Sequence, residues 1–276
     1  MLRGRVADNI YVFTSSVYAQ VTAGAILTPE GVILIDSLPY PTESRQLARF
    51  TRRISPAGVK YIILTHYHAD HSYGTYLFPE ADVVAHAKTH DLLETYGAPA
   101  LKAAQAESPA LEEVVLRAPD VTFDEGELSF QLGGEVVRLI HSPGHTEDTV
   151  MAYAEEERVL FASDTIMPVP SIVDGDLDAY RASLKRIPEL SIENLVQGHG
   201  EIILRGEVEE IVETSLDYLD KIEEKVDQAI EAGDSREKLA NDSIESTGLS
   251  RIPLNGQVQQ IHVANLLYLY NERAAT

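Results

Sequence analysis

The sequence predicts an α/β protein, a four-layer αββα sandwich with a C-terminal helical extension, and three observations carry that expectation. Apolar runs of strand length fall into two sets, one between Val6 and Ala85 and one between Val121 and Val196. Amphipathic stretches at helical spacing stand between and after them, so each set has helices to cover one face. Histidine and aspartate recur where these runs end in turns, the place where a sheet scaffold presents functional side chains rigidly.

Along the chain, Val6 to Phe13 alternates loosely and reads as a strand. Ala25 to Leu27 and Val32 to Ile35 read as two more, joined by the turn Thr28-Pro29-Glu30-Gly31. Leu47, Phe50 and Ile54 recur at helical steps in an amphipathic helix over Thr42 to Ile54. A strand at Lys60 to Leu64 follows, then a short helix starting at Ser72-Tyr73-Gly74 and running to Phe78, a strand at Asp82 to Ala85, and a helix from about Lys88 to Tyr96. Residues 97 to 120, rich in Ala, Pro and Glu, suit a helix between loops. The second set comprises Val121 to Phe123, Glu127 to Leu132, Glu135 to Ile140 after the turn Gly133-Gly134, Thr149 to Ala154, and Arg158 to Phe161. Asp178 to Ile187 reads as a helix introduced by Gly175-Asp176, and Asn194 to Val196 as a last strand. The division expected is a domain over 1–205 and a helical extension over 206–276 docked on it. Within the extension, residues 206 to 232 carry Val208, Ile211, Ser215, Leu216, Leu219, Ile222, Val226 and Ile230 at three- and four-residue steps, and two further helices cover Ser235 to Asn241 and Val258 to Tyr270. The last is too apolar for a one-sided surface helix, so it is either deeply packed or part of a homodimer interface.

Length and composition bound the function. The 276 residues, 44% of them hydrophobic, suffice for a sizeable core. No apolar run approaches the ~20 residues that span a bilayer, and Met1-Leu2-Arg3-Gly4-Arg5 leads into a strand without a signal-peptide core, so a cytoplasmic protein with no membrane partner is expected. The absence of Cys excludes disulfides and thiolate metal ligands. A net charge of −22 repels phosphate backbones, which argues against nucleic-acid partners and for a small-molecule substrate.

The densest functional signal is Thr65-His66-Tyr67-His68-Ala69-Asp70-His71, a strand-to-helix turn holding four metal-capable side chains. Two His one residue apart on an extended end can converge on one ion, while Asp70 and His71 point to the other side and can hold a second. Nitrogen and oxygen donors of this kind suit zinc or iron, and a site keeping water in its shell is hydrolytic. Three later turns add the same residue types: His145 in Ser142-Pro143-Gly144-His145-Thr146, Asp164 in Ala162-Ser163-Asp164-Thr165, and His199 in Gly198-His199-Gly200.

The ordered set His66-x-His68-x-Asp70-His71, His145, Asp164, His199 resembles the metallo-β-lactamase-fold superfamily of dinuclear metallohydrolases, over roughly residues 6 to 205. The resemblance implies that His66, His68 and His145 bind a first metal, that Asp70, His71 and His199 bind a second, and that Asp164 bridges them. It also implies that Asp36 supports the metal loop from behind, and that residues 97 to 120 shape a pocket rim if they are not a plain surface connection. The cofactors expected are two divalent ions, zinc first, with iron or manganese as alternatives. Such a pair acidifies a bridging water into a hydroxide nucleophile while Asp70 handles its proton, giving hydrolysis of an ester, thioester or lactone, with amides or β-lactams as side substrates. The family's β-lactamases usually carry Cys or Ser in place of the bridging Asp, whereas glyoxalase II-type thioesterases and lactonases keep it, as this chain does at Asp164. Two other readings stand: a mononuclear iron sulfur dioxygenase using His66, His145 and Asp164, and a non-catalytic metal-binding protein. Ile166 to Ile172, with Leu38, Tyr40 and Tyr73, either form an apolar pocket rim or pack on the core. His86, His90 and His262 read as ordinary structural or surface histidines, and His141 as a hydrogen-bonded loop residue or a support to the metal site.

Overall fold

Strands that are buried on both faces read as unbroken apolar runs, and two sheets of such strands form the centre of the molecule. In the computed structural model, which describes residues 1–274, the first sheet runs β1 (Leu2–Arg5), β2 (Ile10–Thr14), β3 (Thr22–Thr28), β4 (Gly31–Ile35), β5 (Val59–Ile63), β6 (Asp82–His86) and β7 (Val121–Phe123) in sequence order. It begins as an antiparallel meander and turns parallel from β4 onward. The second sheet contains β8 (Glu127–Leu132), β9 (Glu135–His141), β10 (Val150–Ala154), β11 (Val159–Ser163), β12 (Asn194–Gln197) and β13 (Ile202–Leu204), with β11 and β12 parallel.

The two-residue period of the strands divides the core into three layers. Ile33, Ile35, Val150 and Ala152 face the gap between the sheets. Leu34 and its neighbours face outward onto α1 (Pro41–Ile54), where Leu47 and Phe50 cover them. Met151, Tyr153 and Leu160 face outward on the other side, onto α5 (Leu177–Arg186), α6 (Val208–Glu231) and α8 (Val258–Ala274). Between the sheets the approach is tight: a Cβ added at Gly24 would stand 2.3 Å from the Phe161 ring. The four-layer αββα arrangement is therefore the one the patterning predicts, and its C-terminal helices are present.

The parallel strands end at the same edge. Asp36 follows β4, the 65–71 turn follows β5, Asp164 follows β11 and Gly198-His199 follows β12. In open α/β sheets, the carboxyl ends of parallel strands are where ligands bind.

Several expectations are corrected. Val6 to Phe13 is not one strand, because the chain turns over Val6–Asn9 between β1 and β2, with Val6 N–H donating to the Ile10 carbonyl at 3.0 Å. The helix expected at Ser72 begins three residues earlier as α2 (Ala69–Ser72), so Asp70 and His71 lie on its first turn. The helix from Lys88 does not stop at Tyr96. Two segments, α3 (Lys88–Leu92) and α4 (Ala98–Glu107), join through a wide helical turn at Leu93–Gly97, which accommodates Pro99 and its missing N–H. β13 was not expected, its three residues being too few to show a period. The other helices are α7 (Arg236–Leu239) and several short 3₁₀ turns. The α8 helix is deeply packed, with Val258, Leu266 and Leu269 in the core shared with α5 and α6, while the last two residues of the 206–276 extension lie outside the described ones. Among the described residues, no helix is long and apolar enough to cross a membrane.

Where β9 meets the β10–β11 turn, Glu135, Glu156 and Glu157 crowd together. Burial and the adjoining Glu157 push the Glu135 carboxyl up to about 7 from 4.5. The folded protein therefore holds an extra proton between those values, and stability present below pH 4.5 is lost as pH rises through 7. Glu135→Gln is expected to raise Tm over wild type at pH 8 and to lose that advantage at pH 4. A Tm difference that stays flat with pH would show that the pair does not share a proton.

Candidate metal centre

Each of the five histidines at the sheet edge spends one ring nitrogen on an outward partner and turns the other inward. His145 Nδ1 donates to the Ser171 carbonyl at 2.8 Å, and His199 Nδ1 to the Ala19 carbonyl at 2.9 Å. A carbonyl cannot donate, so in the neutral rings both Nε2 atoms are left bare. His71 Nδ1 donates to Asp36 Oδ2 at 2.8 Å, and His68 Nε2 to Asp174 Oδ2 at 3.2 Å. His66 follows from its neighbours: the Thr65 hydroxyl donates to Asp36 and accepts from Ser163, so its remaining lone pair receives His66 Nδ1–H at 3.2 Å.

The inward atoms form two groups. His66 Nε2 and His145 Nε2 lie 3.1 and 2.9 Å from His68 Nδ1, and His145 Nε2 is 3.3 Å from Asp164 Oδ2. That is the spacing of ligands around one small cation held at about 2.0–2.1 Å. On the other side, Asp70 Oδ2 lies 3.2 Å from His199 Nε2 and 3.8 Å from His71 Nε2. Asp164 stands between: Oδ1 is 3.3 Å from His71 Nε2, and Oδ2 is 3.5 Å from His199 Nε2. His71 Nε2 and Asp164 Oδ1 are buried without a hydrogen bond, as donors meant for an ion would be. The structure thus brings together all seven residues singled out in the sequence.

Electrostatics fit a cation in this volume. Asp164 is held well below the usual carboxylate range, its burial outweighed by His199, His71 and His145. Asp70 is also held below that range, with burial again overcome by His71 and His199. Burial is the largest influence on His199 and lowers it, but the Asp164 and Asp70 carboxylates raise it to about 10. His71 moves up in the same way, through Asp164, Asp36 and Asp70. Burial drives His145 down to about 4 and His66 well below its ordinary value.

Contacts behind the candidate ligands fix these side chains. The Asp36 carboxylate accepts from Thr65 N at 2.9 Å and Thr65 Oγ1 at 2.8 Å as well as from His71, and so ties β4, β5 and α2 together behind the metal turn. Burial pushes its carboxyl up, opposed by the His71 ring and the Thr65 bonds. Backbone at Asp36 and Ser163 takes φ of 58° and 50°, strain of the kind held at functional sites. Gly198 is required, since a Cβ there would fall 1.8 Å from Asp164 Oδ1. Sequence reasoning does not find Asp174 or the Ser171 carbonyl, because a single Asp in the Asp174-Gly175 pair and a backbone oxygen carry no pattern.

The apolar-rim expectation is corrected. Ile166, Met167, Val169 and Ile172 are buried in the core beneath the second sheet, and Leu38 and Tyr73 are buried as well. Exposed apolar groups come from elsewhere: Val17 and Tyr18, whose phenol is pushed up to about 12 chiefly by the Asp70 charge, and Tyr96 and Val173, near Tyr67 and Asp174. His86 and His141 stack on each other at 4.0 Å and bond to backbone carbonyls away from the ligands, and His90 is exposed.

Comparison with known proteins agrees with this geometry. The model of the metallo-beta-lactamase superfamily matches residues 18–199. The beta-lactamase-like protein 2 homolog of Caenorhabditis elegans is 28% identical over 207 residues, 75% of this chain and 59% of that protein. Thioesterase pkgB of Emericella nidulans is 27% identical over 146 residues, 53% of this chain and 36% of that protein. The chain thus spans roughly half the length, or less, of these curated relatives. Among solved structures, the inverting sec-alkylsulfatase Pisa1 from Pseudomonas sp. superposes with a TM-score of 0.75 at 15% identity, over 98% of this chain and 50% of that one. The likeness in fold therefore takes in the C-terminal helices.

Asp36→Ala is expected to weaken metal binding by about 10- to 100-fold, the usual effect of removing a ligand's outer partner. Competition with a chromophoric chelator measures it, and wild-type affinity in the variant would mean that Asp36 supports only the fold.

Proposed function

From the premise that the chain belongs to the metallo-β-lactamase superfamily, we propose that it is a hydrolase that uses two divalent metal ions, zinc first, to cleave a neutral, hydrophobic ester, thioester or lactone. The observation that carries this reading is Asp164, placed between the two groups of ligand atoms, with Oδ2 3.3 Å from His145 Nε2 of the first and Oδ1 3.3 Å from His71 Nε2 of the second. His66, His68 and His145 would hold one ion, Asp70, His71 and His199 the other, with Asp164 shared. When bound, such a pair supplies a Lewis acid for the scissile carbonyl and a water acidified toward neutrality.

The chain's own residues do the rest. Asp70 is the least buried of the second group, with 15% of its side chain exposed, so its carboxylate is placed to take the proton of an attacking water and return it to the leaving group. Val17, Tyr18, Tyr96 and Val173 give apolar surface on which an acyl chain can shed water, at ~25 cal/mol per Å² buried. The net charge of −22 disfavours polyanions, although salt screens that field within ~10 Å at 0.1 M. A relative named as a thioesterase is consistent with the thioester among these bonds.

Elemental analysis of purified protein is expected to give two metal equivalents per chain. A single equivalent at saturating metal would remove the dinuclear reading. The kcat/KM for a long-chain thioester or lactone is expected to exceed that for a model phosphodiester and an RNA oligomer at both low and physiological salt. Preference for either phosphodiester at both salts would overturn the substrate class. Asp164→Ala is expected to cost at least about a hundredfold more activity than His90→Ala, because losing the shared ligand misplaces both ions.

A further inference from the structure

The segment Pro170–Gly175 touches two of the three histidines of the first group. Its Ser171 carbonyl receives His145 Nδ1–H, and its Asp174 carboxylate receives His68 Nε2–H together with the Tyr67 hydroxyl. The segment packs without clearance on the His145 turn, for a Cβ on Gly175 would lie 1.7 Å from the Gly144 carbonyl oxygen. From the far side, the C-terminal helix α8 grips the same segment at both ends. Asn265 Nδ2 donates to the Pro170 carbonyl at 2.6 Å, Ile172 N–H donates to Asn265 Oδ1 at 2.9 Å, and the Tyr268 hydroxyl donates to the Gly175 carbonyl at 2.8 Å.

Asn265 is fully buried, and its amide has one allowed orientation: oxygen toward Ile172 N–H, nitrogen toward the Pro170 carbonyl. Its second N–H goes to the Tyr218 hydroxyl at 2.9 Å, which in turn donates to His262 Nδ1, while His262 Nε2 donates to Asp242. A continuous chain of hydrogen bonds therefore runs from the half-buried Asp242 through buried groups to the backbone on either side of Ser171, and His145 takes its orientation from that carbonyl.

We propose that Asn265 and Tyr268 are positioning residues for the first metal group, so that α8 is a working part of the metal centre. This rests on the metal-binding reading above. Neither residue touches a ligand; both act by fixing the acceptors that set the ring planes of His145 and His68.

The test is zinc binding, followed by competition with a chromophoric chelator, in wild type and the variants Asn265→Asp, Tyr268→Phe and Tyr270→Phe. Asn265→Asp keeps the shape but sets an oxygen against the Pro170 carbonyl. Tyr270→Phe is the control, since it also deletes one hydroxyl of α8 bonded to a carbonyl, but that of Asp234, away from the segment. His145→Ala identifies which stepwise constant belongs to the first group. The expected result is a loss of about tenfold or more in that constant for Asn265→Asp and about threefold or more for Tyr268→Phe, with the other constant and Tyr270→Phe within about twofold of wild type. If Asn265→Asp does not fold, Tyr268→Phe against Tyr270→Phe decides. Equal constants in those two variants would overturn the proposal while leaving the metal reading intact. A wild-type protein that binds no zinc would instead defeat the metal reading and this proposal with it.

Discussion

Everything at the sheet edge follows from the cost of burying the Asp164 carboxylate. It is 3% exposed and has imidazole nitrogens of His71, His145 and His199 within 3.5 Å and that of His66 at 3.9 Å. A buried carboxylate persists only beside positive charge. Protons on His71 and His199 can supply it, which is why both are raised, and divalent cations can supply it by displacing those protons. The site is thus a volume whose negative charge asks for a counter-ion, on a scaffold that keeps imidazole nitrogens turned toward it.

That demand explains how the fold is used. The parallel strands β4, β5, β11 and β12 deliver Asp36, the 65–71 turn, Asp164 and His199 to one edge. The close approach of the sheets at Gly24 and the absence of a side chain at Gly198 let the two halves of the ligand set meet. Four of the rings are then fixed by acceptors from three separate parts of the chain: Asp36 for His71, Ala19 for His199, and the segment carrying Ser171 and Asp174 for His145 and His68. Because these acceptors come from separate parts of the chain, the arrangement of the candidate ligands is a property of the whole αββα fold.

The C-terminal helices extend the same logic. Their apolar stripes complete the core under the second sheet, and three of the polar groups buried with them, Tyr218, His262 and Asn265, are joined into one hydrogen-bonded chain. Buried polar groups are retained where each is satisfied, and such chains impose a single arrangement on what they touch. Here they touch the segment behind His145.

The sequence by itself determined the layer architecture and the seven candidate ligands. Both rest on local signals: two- and three-to-four-residue periods mark strands and helices, and His or Asp closing an apolar run marks a presented side chain. Asp36 ends β4 in the same way, but its supporting role was legible only through the family resemblance. What the tertiary structure decided was everything carried by backbone atoms or by distance along the chain. The run Ile166 to Ile172 is equally apolar whether it lines a mouth or fills a core, and only the position of α6 and α8 over it sends it inward. Tyr18 reaches Asp70 from a loop with no period of its own, and Tyr96 reaches Tyr67 only through the wide helical turn at Leu93–Gly97. The Ala19 and Ser171 carbonyls that orient His199 and His145 have no side-chain identity to read, and Asn265 reaches Ile172 across 93 residues, a contact that exists only once the helices have docked.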